Sequence, residues 1–345
     1  MKTLLAQLVE GRSLSAEQAV HGFGVVMAGE AEPTQTAAML ALIAQRGPTV
    51  DELVGVATVM RQRSVPVAVP GGLTVIDTCG AGGTGSEFFN ISTAAAFVAA
   101  AAGRSRGLAV AKHGNRSVTS RSGSSNVLEQ FGVNLQVPPE VLTRCLDEAG
   151  MCFCFAPAHH PAMKHAGPVR EALGFRTIFN LVGPLTNPAG ARRQLIGVPS
   201  PEVAELMAGA LLRLGADRCL LVHSVLPDGR GLGELTTFGP AQAVEVEHDM
   251  TRAYPIDPAA LGLPFALPDS VTIDTPADSA ALVQRVLNND AGPARDITLL
   301  NAAAALWVGG VAESLAEGLE LAAAAVADGA AQRVLDRLVT LTNTD

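Results

Sequence analysis

Leu73-Thr74-Val75-Ile76-Asp77-Thr78-Cys79-Gly80-Ala81-Gly82-Gly83-Thr84-Gly85 begins as a β-branched run and ends as a glycine-rich loop. Leu73 to Asp77 predicts a strand, and Asn90-Ile91-Ser92-Thr93 supplies capping residues for a helix over Ser92 to Ala102. The same alternation continues downstream. Leu108–Ala111, Met151–Phe155, Leu195–Val198 and Cys219–His223 predict strands, while Ser125–Phe131, Pro139–Ala149 and Pro201–Leu214 predict helices. Strands separated by helices need crossover connections, so the sheet is expected to be mostly parallel and covered by helices.

Upstream, residues 1 to about 64 carry only helical signals. Ser15-Ala16-Glu17-Gln18 and Thr49-Val50-Asp51-Glu52 are capping boxes, Pro33 suits a first helical position, and Gly47-Pro48 ends the helix that holds Met39, Leu40, Leu42 and Ile43. Val65-Pro66-Val67-Ala68-Val69-Pro70-Gly71-Gly72 breaks the pattern and reads as a hinge. The expected fold is α/β: a small all-helical lobe over 1–64, a hinge over 65–72, and a larger α/β lobe over 73–345. Ile297 to Ala327 reads as a helical pair broken at Gly309-Gly310.

The 345 residues are 48% apolar and only 17% charged, with 35 Gly and 21 Pro, which excludes disorder, collagen and coiled coil. A net charge of −9 argues against a general nucleic-acid or anionic-membrane surface. The longest apolar run, Ala94 to Ala102, is under half the roughly 20 residues of a membrane span. The start has no signal-peptide pattern, and five scattered cysteines read as reduced thiols, so a cytoplasmic location is expected. Cys152 and Cys154 would share one face of a strand as core residues.

Glycines let a backbone approach a ligand and gather amides into a nest for phosphate oxygens. Gly80, Gly82 and Gly85 match a dinucleotide pattern literally. The acidic ribose ligand expected about 20 residues on is missing, because no Asp or Glu lies between Glu87 and Glu129. That gap is the stronger signal. Residues 88–128 hold Arg104, Arg106, Lys112, Arg116 and Arg121, a local +5 that leaves −14 for the rest. Arg104 and Arg106 read as a solvated edge. Lys112, Arg116 and Arg121 are interleaved with Gly, Ser, Thr and Asn, the ingredients of a polyphosphate site.

Asn90-Ile91-Ser92-Thr93, Lys112-His113-Gly114-Asn115-Arg116, His160-Pro161-Ala162-Met163-Lys164, Val169-Arg170, Arg176-Thr177-Ile178-Phe179-Asn180, Gly183-Pro184-Leu185-Thr186-Asn187-Pro188 and Leu299-Leu300-Asn301-Ala302-Ala303 occur in this order. With them the whole chain resembles the anthranilate phosphoribosyltransferases, which join anthranilate to phosphoribosyl pyrophosphate (PRPP) in tryptophan biosynthesis. The resemblance implies that PRPP is held by Gly80, Gly82, Gly83, Thr84, Phe88, Asn90, Ile91, Ser92, Thr93, Ser124 and a loop comprising Lys112, His113, Gly114, Asn115, Arg116, Ser117, Val118, Thr119 and Ser120. It implies anthranilate contacts from Gly80, Asn115, His160 and Arg170, with His113 beside its approach and no assigned acid or base. A guanidinium can grip a carboxylate bidentately, which suits Arg170. His159 is expected at the surface. Mg²⁺ would be held by Ser92 and Glu234. A helical excursion at about 166–180 would join the first lobe, which would also form a homodimer contact.

Two positions depart from the family. Thr84 and Gly233 each stand where a carboxylate is usual, which implies weaker magnesium binding, and restoring Gly233→Asp is expected to lower the magnesium requirement if the backbone there follows the family. Asp228 is a possible substitute ligand but reads better as a solvated turn residue. The alternatives are a same-fold paralogue acting on another aromatic amine or a pyrimidine nucleoside, and a catalytically silent binding protein.

Overall fold

The computed structural model describes residues 1–82, 87–116 and 121–344. The chain opens with four helices: α1 (Lys2–Val9), α2 (Ala16–Ala28), α3 (Pro33–Arg46) and α4 (Val50–Gln62). Both capping boxes form. Ser15 Oγ accepts from the Gln18 amide while Gln18 Oε1 accepts from that of Ser15. At α4, Glu52 closes the box with Thr49 and, fully buried, also takes the Leu14 amide at 3.0 Å and Arg46 Nη2 at 2.6 Å. One carboxylate thus ties three segments of the bundle together.

The larger part runs β1 (Thr74–Gly80), α5 (Ile91–Gly103), β2 (Leu108–Gly114), α6 (Ser124–Gln130), α7 (Pro139–Glu148), β3 (Met151–Phe155), α8 (Ala156–His159), α9 (Met163–Leu173), α10 (Phe179–Val182), β4 (Arg193–Gly197), α11 (Pro201–Arg213) and β5 (Arg218–Val225). It continues with β6 (Gly231–Leu232), β7 (Ala241–Glu247), β8 (Met250–Ile256), α12 (Pro276–Leu287), α13 (Pro293–Val308), α14 (Leu315–Ala327) and α15 (Ala330–Asn343). The strand order is β3-β2-β1-β4-β5-β7-β8, with β6 paired to β5. The first five in that order are mutually parallel, as the alternation predicts, and β6, β7 and β8 are antiparallel.

The antiparallel edge was not legible. β7 and β8 join through His248-Asp249, where His248 takes a positive φ of 52° without the glycine that marks most tight hairpins. The predicted first two strands and first helix also run longer than expected, to Gly80, Gly114 and Gly103. α5 is apolar on nearly every side, as befits a helix enclosed by protein. It lies against β1 and β2 on one side and α13 and α15 on the other.

A second core joins α1–α4 to α9–α11 and to Ile196, Cys219, Leu221 and Val246 on the opposite sheet face. α9 packs on α2 and α3. Residues 65–72 form neither helix nor strand, yet Val65 is tied twice to His159, through the His159 carbonyl and through Nδ1, both at 2.8 Å. His159 is therefore buried, contrary to the expected surface position, because its ring closes the backbone bonds of this connecting segment. Among the described residues no helix is long and apolar enough to cross a membrane.

Candidate active site

The carboxyl ends of parallel strands leave backbone groups open to a ligand, and here they floor a cavity of about 810 Å³. β1 ends in Gly80 and β2 in Gly114, and α5 starts at the same rim with Asn90 and Ser92. Gly82 continues the loop at φ +64°, a conformation that favours glycine.

Lys112 projects from β2 with only 2% of its surface exposed. Its ammonium donates to the Thr78 carbonyl and, at 3.3 Å, to Ser92 Oγ. Ser92 also lies beside Glu234, where its amide and hydroxyl favour the charged carboxylate. Burial lowers the Lys112 pKa, and the neighbouring acidic groups, Asp77 first, oppose that shift. Burial pushes the Glu234 carboxyl up to about 7 against the pull of Lys112 and Ser92. Behind this chain lies Asp77, fully buried, taking the His113 amide at 3.1 Å and Asn187 Nδ2 at 2.7 Å. Asn187 also donates to Ala111 O at 2.8 Å.

The far wall comes from α8 to α10. Arg170 lies over the Phe179 ring, 5.3 Å from its centroid. Burial lowers its pKa, and no carboxylate counters the effect. His113 and His160 stand 5.1 Å apart, ring to ring. Since Gly183 O can only accept, His113 Nδ1 carries the proton at 3.1 Å, leaving a buried Nε2 lone pair without a partner. Both ring nitrogens of His160 are likewise buried and without a hydrogen bond.

Desolvation lowers His113 to about 3 and His160 to about 4, with mutual repulsion adding to it at His113. Both fall below the ordinary 6.5, so the unfolded chain binds more protons in that window. The contribution is complete above pH 6.5 and is lost as the pH falls, at up to ~1.4 kcal/mol per unit for each ring. The melting temperature should drop between pH 6.5 and 4, and His160→Phe should flatten the slope. An equal slope in the variant would remove the assignment.

Among the described cavity-lining residues, Glu234 is the one carboxylate, facing the cations Lys112, Arg116, Lys164, Arg170 and Arg176. Of the residues expected from sequence, Gly80, Gly82, Phe88, Asn90, Ser92, Lys112, His113, Gly114, Asn115, Arg116, Ser124, His160, Arg170 and Glu234 meet at this cavity. Gly83, Thr84 and Ser117 to Ser120 lie outside the described residues. Ile91 and Thr93 do not line the cavity, because both turn into the buried part of α5. Arg121 pairs with Asp274 instead, and Asp228 is an exposed turn residue bound to Arg230 at 2.6 Å. Cys152 and Cys154 share a buried face, sulfur to sulfur 3.9 Å, in the core. Arg176, Asn180 and Lys164 line the cavity without an expected role; their only sequence signal was membership of the quoted motifs.

The glycosyl transferase family a/b domain matches residues 72–332, and the helical bundle domain of the same family matches residues 2–64. The anthranilate phosphoribosyltransferase of Caulobacter vibrioides is 48% identical over 100% of this chain and 98% of its own. The chain belongs to the anthranilate phosphoribosyltransferase family. The crystal structure of the Thermus thermophilus anthranilate phosphoribosyltransferase superposes with a TM-score of 0.90 at 40% identity, covering 99% of both chains. That of Saccharomyces cerevisiae, in complex with PRPP and Mg, shares the fold at a TM-score of 0.86 and 23% identity, over 98% of this chain and 96% of its own.

Against this family background, the glycine at 233 has a local cause. Gly233 and Gly197, at the end of β4, touch backbone to backbone, and a Cβ at 233 would sit 2.8 Å from Gly197 C and Val198 N. The expectation that Gly233→Asp would lower the magnesium requirement is therefore revised. The substitution must displace a strand end, at a cost of about 1–3 kcal/mol. Thermal denaturation should show the loss, with no gain in magnesium response. A fully stable variant with a lower requirement would contradict this geometry.

Proposed function

We propose that this cleft transfers the phosphoribosyl group of PRPP to the amine of anthranilate, releasing pyrophosphate in tryptophan biosynthesis. The observation that carries the reading is the cavity itself, where five cations and one carboxylate stand among the described lining residues of a molecule of net charge −9. Such a site favours a polyanion strongly, and the leaving pyrophosphate gains charge as the bond to the anomeric carbon breaks.

Position in the cavity supports the following roles. Lys112 and the glycine loop, with Asn90 and Ser92, take the diphosphate. Gly80, Asn115, His160 and Arg170 take anthranilate, whose aniline nitrogen is neutral at pH 7 and needs positioning more than activation. The neutral His113–His160 pair keeps like charge away from the cationic rim. Glu234 and Ser92 offer one carboxylate and one hydroxyl, a set that suits Mg²⁺ carried largely by phosphate and water oxygens. Bound there, the ion would neutralise charge on the leaving pyrophosphate. Among the described residues no cluster of three His, Cys, Asp or Glu could hold a metal unaided.

The same reading takes 1–64 with about 166–180 as one lobe, 65–72 as hinge and 73–345 as the other lobe, and a cytoplasmic homodimer joined through the helical lobe. Turnover is tested with purified protein, PRPP, anthranilate and a range of Mg²⁺, following the loss of anthranilate fluorescence. Folded protein without turnover at any magnesium level would overturn the reading. Arg170→Ala should raise KM for anthranilate at least ~10-fold while leaving that for PRPP nearly unchanged, since a bidentate carboxylate contact is worth about 1.5–3 kcal/mol. Equal effects on both constants would mean Arg170 serves neither substrate in particular.

A further inference from the structure

Arg176 sits between α9 and α10, on the side of the cleft that carries Arg170, yet its guanidinium reaches across to the glycine loop. Nη2 donates to Ala81 O at 3.4 Å and to Gly82 O at 3.2 Å. Its own segment is braced at both ends. Gly174 caps α9 in a left-handed conformation, and the Thr177 amide donates to Asn180 Oδ1 at 2.9 Å. The loop is held from below as well, by the Ala81 amide on Gly197 O at 2.8 Å.

A peptide group is planar and trans, so its N–H points opposite to its C=O. Fixing Ala81 O on Arg176 therefore fixes the Gly82 N–H, and Gly82, a glycine at a positive φ, has no side chain of its own to set it. We propose that Arg176 is a positioning residue that sets the amide direction of the PRPP loop from the anthranilate side of the cleft. This rests on the phosphoribosyl-transfer reading above. Charge alone does not suffice for the role: both bonds come from Nη2 at the far end of the side chain, and the lysine ammonium, one bond closer to the backbone, falls short of both carbonyls.

The test measures PRPP binding to the full-length protein by calorimetry with Mg²⁺ present, together with both KM values, for wild type, Arg176→Ala, Arg176→Gln and Arg176→Lys. The expected result is a Kd and KM for PRPP raised at least ~10-fold in the Ala and Gln variants, a KM for anthranilate changed less than ~3-fold, and little recovery in Arg176→Lys. Because Arg176 is exposed, near-wild-type melting is expected throughout. Wild-type PRPP affinity in Arg176→Ala, equal changes in both KM values, or full recovery by lysine would each overturn the proposal. Wild-type turnover alongside any of these leaves the transferase reading standing; its absence in the wild type is the separate failure of that reading.

Discussion

Lys112→Met should reduce kcat/KM for PRPP by roughly 10²–10³, the scale of removing one preorganised donor from a developing anion. The methionine fills the same buried channel without charge, so far-UV circular dichroism should be unchanged. Lys112 is already held on Thr78 O and Ser92 Oγ before substrate arrives, and so costs little to order at the moment of reaction. Its loss also leaves Glu234 without the cation that opposes protonation, and the variant should need more magnesium. Activity within about threefold of wild type would show that the diphosphate does not rest on this residue.

Asp77→Ala carries the largest expected cost in stability, about 2–5 kcal/mol. Its carboxylate accepts the His113 amide and Asn187 Nδ2 in a site with no exposed surface, and truncation leaves both donors buried. Lys112 loses its strongest opposing charge at the same time. Urea denaturation should show a lower midpoint, with Asp77→Asn in between because it keeps one acceptor oxygen. A midpoint shift in Asp77→Ala worth less than about 0.5 kcal/mol would mean that water or a local shift satisfies those donors.

Much of this architecture was readable because local signals agreed with tertiary placement. The Ser15 and Thr49 capping boxes, the β-branched runs and the Ala-rich helix after Asn90 each specify a local conformation that packing keeps. The absence of acid between Glu87 and Glu129 marked the cationic cavity before its walls could be drawn. Other features depend on pairs far apart in the chain. Nothing near His159 announces Val65, and nothing near Arg121 announces Asp274. The contact of Gly233 with Gly197, and the reach of Arg176 to Ala81 and Gly82, arise only when strand ends and helices meet. Ile91 and Thr93 fall off the cavity wall, unlike their neighbours, because a motif groups residues that a helix then separates by face.

The most direct measurement is a crystal structure of the protein with PRPP and Mg²⁺. The expected density places the diphosphate against Lys112 and Ser92, with magnesium held at the site that Ser92 and Glu234 would provide. A diphosphate bound elsewhere, with the space between Lys112 and Glu234 filled only by water, would contradict the account.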